Sequence, residues 1–409
     1  MWADVPRLMA APMKALKMHR FPKLIALAGL LLAVQLNAVA ATAVQPARDD
    51  EVLEVLPAVT RNRPAQTTTA SATSVPASDP AAAAAQARED IGVARQTGDT
   101  RYWGRAQALL APWWDRPDAP ADLAVLQATV QQGRHEFAAS RKVLTAALTR
   151  TPGHAQGWLN LASLERLSSR YAESLAACDA VERAGQALYA QACRLETRSL
   201  QGQNPKAGQD FQALIDRAAN ASQRSWLLSL QAESDERAGR DVAAADAYTR
   251  SLAAEHDLYT AIAFSDLLLR TGKAAQALKL LTPLPETDAV VLRQATAWKR
   301  LGDARWTAGR QVLQSRMDEL ARRGDDTTLH GRELALAALW LDGDAASALP
   351  LARRNLELQR EPLDWWVALQ SARQANDKQA MAEIGSAIQA AGLHDVRLAA
   401  IAATAKAAK

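Results

Sequence analysis

Three things are scarce in this 409-residue chain, and each scarcity excludes something. There are only two cysteines, Cys178 and Cys193, so no disulfide framework can hold the fold and at most one bridge can form. Alternation of β-branched and polar residues between turn signals, the mark of strands, is absent. After residue 40 there is no apolar run of the ~20 residues that a membrane span requires. Catalytic patterns are missing too. His135, His154, His256, His330 and His394 have no His, Cys or carboxylate at a metal-ligand spacing, and no G-x-S-x-G elbow presents a nucleophilic serine. "RTGKAA" at 270–275 lacks the first glycine and the Ser/Thr of a phosphate loop, so it reads as a turn between helices.

The formal charge of +4 comes from one end of the chain. Arg7, Lys14, Lys17, Arg20 and Lys23, against the single acid Asp4, precede the apolar "LIALAGLLLAVQLNAVA", which ends in Ala38-Val39-Ala40. This basic, then apolar, then small-residue order reads as a secretory signal over 1–40, removed after Ala40, and it places the mature protein in the periplasm. Gln35 and Asn37 shorten the run below the length of a spanning anchor. Without these forty residues, basic and acidic side chains are equal in number, which leaves no electrostatic case for nucleic acid or anionic lipid. In an oxidising compartment Cys178 and Cys193 are either bridged or two small buried apolar residues. Residues 41–81 are rich in Ala, Pro, Ser and Thr and read as a disordered linker. Inside the linker, "DDEVLEVLP" (49–57) is acidic and apolar, and reads as a docking motif, as a plain mature N-terminus or as a segment that packs on its own domain.

From residue 82 the texture is helical, with apolar residues at three- and four-residue spacing and Gly or Pro as punctuation. It also repeats. Tyr171 lies 34 residues after Phe137, and Cys178 lies 34 after Leu144. Trp158, Leu161 and Ala162 supply a preceding helix face, Pro152 stops one helix, and Gly239 and Gly272 stand 33 apart. These features resemble the tetratricopeptide repeat (TPR) family, whose pattern runs W-x2-L-G-x2-Y, then Ala and an aromatic, then Pro. The resemblance implies an all-α fold over 82–394: a right-handed α-solenoid of stacked helix-turn-helix repeats with 395–409 as capping helix and tail. Small residues (Ala162, Ser174, Ala244, Ala277, Ala348) would let helices approach, and large ones (Trp158, Tyr171, Tyr248, Leu281) would fill between them. At 189–222 the turn lengthens, at 287–325 the second helix does, and the register is lost in both places.

Such a solenoid is expected to expose a groove lined by first helices, which defines the candidate binding residues. In the best-matching repeat these are Gln156, Ser163 and Arg166; next come Trp226, Glu233 and Arg237, then Tyr259, Asp266 and Arg270. Further on they are His330, Glu333 and Trp340, followed by Trp366 and Arg373. Aromatics and arginines anchor protein segments by large contact area and forked hydrogen bonds. The expected function is therefore a non-enzymatic scaffold or adaptor that binds a protein or peptide segment, without catalytic residues, metal or cofactor, in assembly of an envelope complex. Two alternatives stay open. The family resemblance also implies accessory roles in polysaccharide secretion. An enzyme site in 287–330 would need His330, Glu333, Asp325 and Asp326 to cluster around a metal.

Overall fold

A left-handed residue after nearly every first helix sets the architecture, because it stops the helix and turns the chain back on itself. This computed structural model describes residues 79–407 except 204–205, 323 and 325–326, all within the unit Thr73–Lys409. The signal at 1–40, the linker up to residue 78 with its 49–57 segment, and Asp325 and Asp326 lie outside the described residues.

The chain runs as helix pairs. Helix α1 (Pro80–Thr97) pairs with α2 (Arg101–Leu110), α3 (Ala121–Gly133) with α4 (Phe137–Arg150), and α5 (Ala155–Leu167) with α6 (Tyr171–Arg183). Then α7 (Ala187–Leu200) pairs with α8 (Ala207–Ile215), α9 (Ala221–Arg237) with α10 (Asp241–Ala254), and α11 (Leu258–Arg270) with α12 (Ala274–Leu281). Next α13 (Asp288–Arg300) pairs with α14 (Trp306–Arg322), α15 (Gly331–Ala337) with α16 (Ala345–Leu358), and α17 (Pro362–Gln374) with α18 (Lys378–Ala391). Helix α19 (Val396–Ala407) packs last, on α17 and α18. No strand occurs among the described residues. The fold is a helical-repeat solenoid of the TPR-like kind.

The turns share one geometry. Residues Gly202, Gly239, Gly272 and Gly302 have φ between 66° and 77°, and His135, Ser169 and Asn376 hold the same place at 55° to 61°. The next residue's N–H reaches back to the carbonyl five positions earlier: Arg170 to Glu165 at 2.7 Å, Arg240 to Asp235 at 2.8 Å, Lys273 to Leu268 at 2.8 Å. This closure satisfies carbonyls that a helix end otherwise leaves bare. After α15 the helix widens by one residue over Ala338–Asp342, and Asp344 N–H bonds Ala338 O instead. The two regions of lost register are also explained. Helix α8 is short after the long connection from Leu200, and α14 is long.

Packing follows residue size. Ala162, Ser174, Ala244, Ala277, Ala348, Tyr248 and Leu281 are fully buried. First helices touch one another from repeat to repeat (α3 with α5, α5 with α7, α7 with α9, α11 with α13, α13 with α15), whereas second helices meet their own partner and the next first helix. First helices therefore line the concave side. Cys178 on α6 and Cys193 on α7 are joined by a disulfide, in contact with the fully buried Ala162.

The solenoid is wound tightly enough for its successive superhelical turns to touch. Arg360 N–H donates to Leu167 O at 2.7 Å, and His394 N–H donates to Leu200 O at 2.7 Å. Ser169 Oγ also approaches Arg360 O, 191 residues away. In each case a helix-to-helix turn of an early repeat meets the connection between two late ones. Gly98 sits against Thr287 in the same way. At Gly202 the contact needs glycine for two reasons: φ is +66°, and a Cβ would lie 2.6 Å from the His394 ring. Tyr171 and Leu200 consequently belong to the apolar cluster of the C-terminal repeats, with Trp365, Leu369 and Ile384.

Candidate functional site

Tight winding turns the concave side into a trough, where side chains from α9, α11, α13, α15, α17 and α19 converge. Two adjoining cavities make up its middle. One, about 240 Å³, is lined by Leu269, Leu339, Trp340, Leu363 and Trp366 with Arg270, Arg300 and Arg397 around it. The other, about 290 Å³, is more polar, and includes Glu233, Arg237, Tyr259, Arg293, Arg332 and Glu361. They share Glu236, Asp266, Leu363 and Arg397.

Ion pairs organise the walls. Arg293 grips Asp266 with two bonds of 2.8 and 2.7 Å. Arg270 does the same to Asp241 at 2.9 and 2.6 Å, and reaches Glu236 at 3.2 Å. From the far end of the chain, Arg397 crosses to Glu236 at 2.5 Å. Arg332 is held by Asp364 (2.6 and 2.9 Å) and Glu361 (2.5 Å). Fork-shaped pairs of this kind fix side-chain direction as well as charge.

The polar end contains a proton-holding group. Glu233 accepts a bond from Tyr259 Oη at 2.8 Å and has Arg237 at 3.6 Å. Enclosure pushes its pKa up to about 7; Arg237 opposes the shift, and the carboxylates Glu196 and Glu361 add to it. Glu233 in turn pushes the Tyr259 phenol well above its usual range. Burial lowers the His135 imidazole, which faces Glu333, Arg332 and His330 across the seam.

The fourteen candidate residues divide by location. Glu233, Arg237, Tyr259, Asp266, Arg270, Glu333, Trp340 and Trp366 line the trough. Trp340 and Trp366 come together there, ring centres 6.1 Å apart in an edge-to-face arrangement. Gln156 lines a separate cavity with Arg88, Asp122 and His154. There His154 Nε2 meets Asp122 at 2.8 Å while Nδ1 caps α5 by accepting from Gly157 N–H. Arg166 is tied to Glu196 at 2.8 Å, and Trp226 packs on Tyr189. Ser163 and Arg373 are exposed, and His330 is half-buried in the turn before α15; these three stand outside the cavities. No group of three His, Cys, Asp or Glu that could hold a metal occurs among the described residues.

Sequence reasoning missed Arg293, Arg300, Arg332, Leu363 and Arg397. Helix α13 was missed because its register was lost, yet a signal existed. Arg237, Arg270 and Arg300 each stand two residues before a left-handed glycine, in "RAG", "RTG" and "RLG". Arg397 had no signal, since only superhelical closure brings α19 to the trough.

Fold and site together define a class: a TPR-like helical-repeat solenoid with a mixed polar and aromatic concave trough. No protein-family model matches the chain, and no curated protein matches it. Among solved structures it is similar to the Rap protein crystallised in complex with competence and sporulation factor. That similarity has a TM-score of 0.50 at 10% sequence identity, and covers 80% of this chain and 87% of the Rap chain. At that identity the likeness concerns the fold.

Proposed function

We propose that this protein is a non-enzymatic adaptor, exported to the periplasm, that holds a segment of another protein in its concave trough during assembly of an envelope complex. The observation that carries this reading is the trough itself: a Trp340–Trp366 pair and apolar leucines beside a row of oriented arginines. Such a surface anchors an extended chain through a few large side chains and leaves polar groups to select among partners. The similar Rap protein, crystallised with a factor bound, supports a binding role for this kind of fold. Export is supported by the signal-like residues 1–40, which lie outside the described residues, and by the Cys178–Cys193 bridge.

Site-specific photo-crosslinking in living cells tests the reading. A photo-reactive residue at Gln374, on the trough rim, captures a defined partner segment. The same residue at Lys142, exposed on the second helix α4, does not. Equal capture at both positions, or none at Gln374, removes the groove-binding function. Mass spectrometry of the mature N-terminus checks export: it should begin at Ala41, and a chain retaining residues 1–40 in the cytoplasm sinks that part.

A further inference from the structure

The arginines before the turns form a ladder. Each one, two residues ahead of a left-handed glycine, reaches the residue three ahead of the corresponding glycine in the previous repeat. Arg237 Nη2 donates to Ser199 Oγ at 2.7 Å, with Gly202 and Gly239 as the two glycines. On the next rung Arg270 donates to Glu236 at 3.2 Å. On the third, Arg300 meets Leu269, and the side chain at the carboxylate's place is apolar. Arg300 therefore bonds the Leu269 carbonyl, leaves its other donors open to solvent, and has no carboxylate within ion-pair distance among the described residues.

The other charges near this rung are already engaged. Asp266 is held by Arg293, and Glu236 is shared by Arg270, Arg397 and the Tyr248 hydroxyl. Lys299, next to Arg300, spends its ammonium on the carbonyls of Trp340 and Leu341. Burial lowers the Arg300 pKa, and Asp266 compensates only at a distance. Arg300, an exposed residue that bonds the Leu269 carbonyl and lines the same cavity as Trp340 and Trp366, is thus a guanidinium without a carboxylate of its own beside an apolar slot. The slot, about 240 Å³, is smaller than the ~300–1,000 Å³ of sites for drug-sized ligands. It suits one large side chain of a longer segment. The adjoining polar cavity continues the path for the rest of that segment.

We infer that the trough recognises an extended peptide segment in which an Asp or Glu side chain stands next to an aromatic or large aliphatic residue, the carboxylate pairing with Arg300 and its neighbour entering the slot lined by Leu269, Leu339, Leu363 and the Trp340–Trp366 pair. This inference rests on the peptide-binding reading above and names its specificity. The occupant is a segment inside a partner protein; a free C-terminal carboxylate is the competing source.

Selection of a random peptide display library on the full chain, followed by affinity measurement with synthetic peptides carrying an amidated C-terminus, tests it. The expected result is enrichment of acid-next-to-aromatic pairs. Changing the peptide's acid to its amide weakens binding about ten- to hundredfold, as loss of a charged hydrogen-bonded partner does. Arg300→Gln, which keeps an amide donor for the Leu269 carbonyl, gives a similar loss and brings the two peptides to equal affinity. The peptide arm needs no altered protein, so a poorly folding variant does not obscure the result. If enriched peptides bind in a Trp366-dependent way but with no preference for an acid, the ladder inference falls and the binding function stands. If they need a free C-terminus, the internal-segment assignment falls. If no peptide depends on Trp366, the groove-binding reading itself falls.

Discussion

Glu233 shows how the trough's geometry reaches down to one proton. Around it stand Arg237 on its own helix, Glu196 on α7, Tyr259 on α11 and Glu361 before α17. Its pKa is raised in the folded chain, from 4.5 to about 7. Stability from this group is therefore fully present below pH 4.5 and is lost as pH rises through 7. Glu233→Gln cannot ionise, so the melting temperature of the variant relative to the wild type should climb across that window and level off above it. Thermal melts at pH 4, 5.5, 7 and 8.5 measure the difference; a difference that stays flat with pH would show that folding does not shift the Glu233 pKa. The choice of residue was legible in the sequence, since Glu233 belongs to a first helix at a groove position. Its proton affinity was not, because Glu196 and Glu361 come from repeats far apart in the chain.

Among the elements, α6 and α7 are the pair with a covalent tie. Cys178 and Cys193 are separated by 15 residues, and closing a loop of that length restricts the unfolded chain by about 3 kcal/mol. Reduction with a phosphine, or the double change Cys178→Ala and Cys193→Ala, should lower the melting temperature by several degrees and leave the helix content unchanged. Calorimetry with and without reductant decides it; no shift would mean that the bridge is absent in the purified protein. Most elements were readable from spacing. Phe137 and Tyr171 at repeat distance, with Trp158 on the helix face before Tyr171, marked the α3–α6 hairpins, and Gly239 and Gly272 marked two turns. The turns at His135, Ser169 and Asn376 were harder to read, because a residue other than glycine occupies the left-handed position and only the back-bond from the next residue reveals it.

At the scale of the whole molecule, the seam between superhelical turns holds the trough in shape. Arg397 links Asp395 to Glu236 there, with both carboxylates almost fully buried. Its own side chain keeps 20% exposure, which softens the effect of removing it. Arg397→Ala leaves Asp395 without a cation and should cost about 2–4 kcal/mol, towards the low side of what breaking a buried pair costs. Because the contact closes the solenoid, the same variant should scatter X-rays as a larger particle while keeping its helical circular dichroism. An unchanged radius of gyration together with an unchanged melting temperature would mean that the seam holds without it.

The sequence by itself determined that the chain is helical, that its helices come in hairpins, and which face of each hairpin packs. Those properties depend on residues within one repeat or the next, and periodicity records them. It also pointed to the first helices as the concave side, and eight of the fourteen residues it named line the trough. Only the tertiary structure decided the curvature. Small angular differences between stacked hairpins add up until Leu200 meets His394 and Tyr171 joins the core around Trp365. No local pattern encodes that sum. It is also what brings Arg397 to Glu236 and leaves Arg300, facing Leu269, as the trough's arginine without a carboxylate.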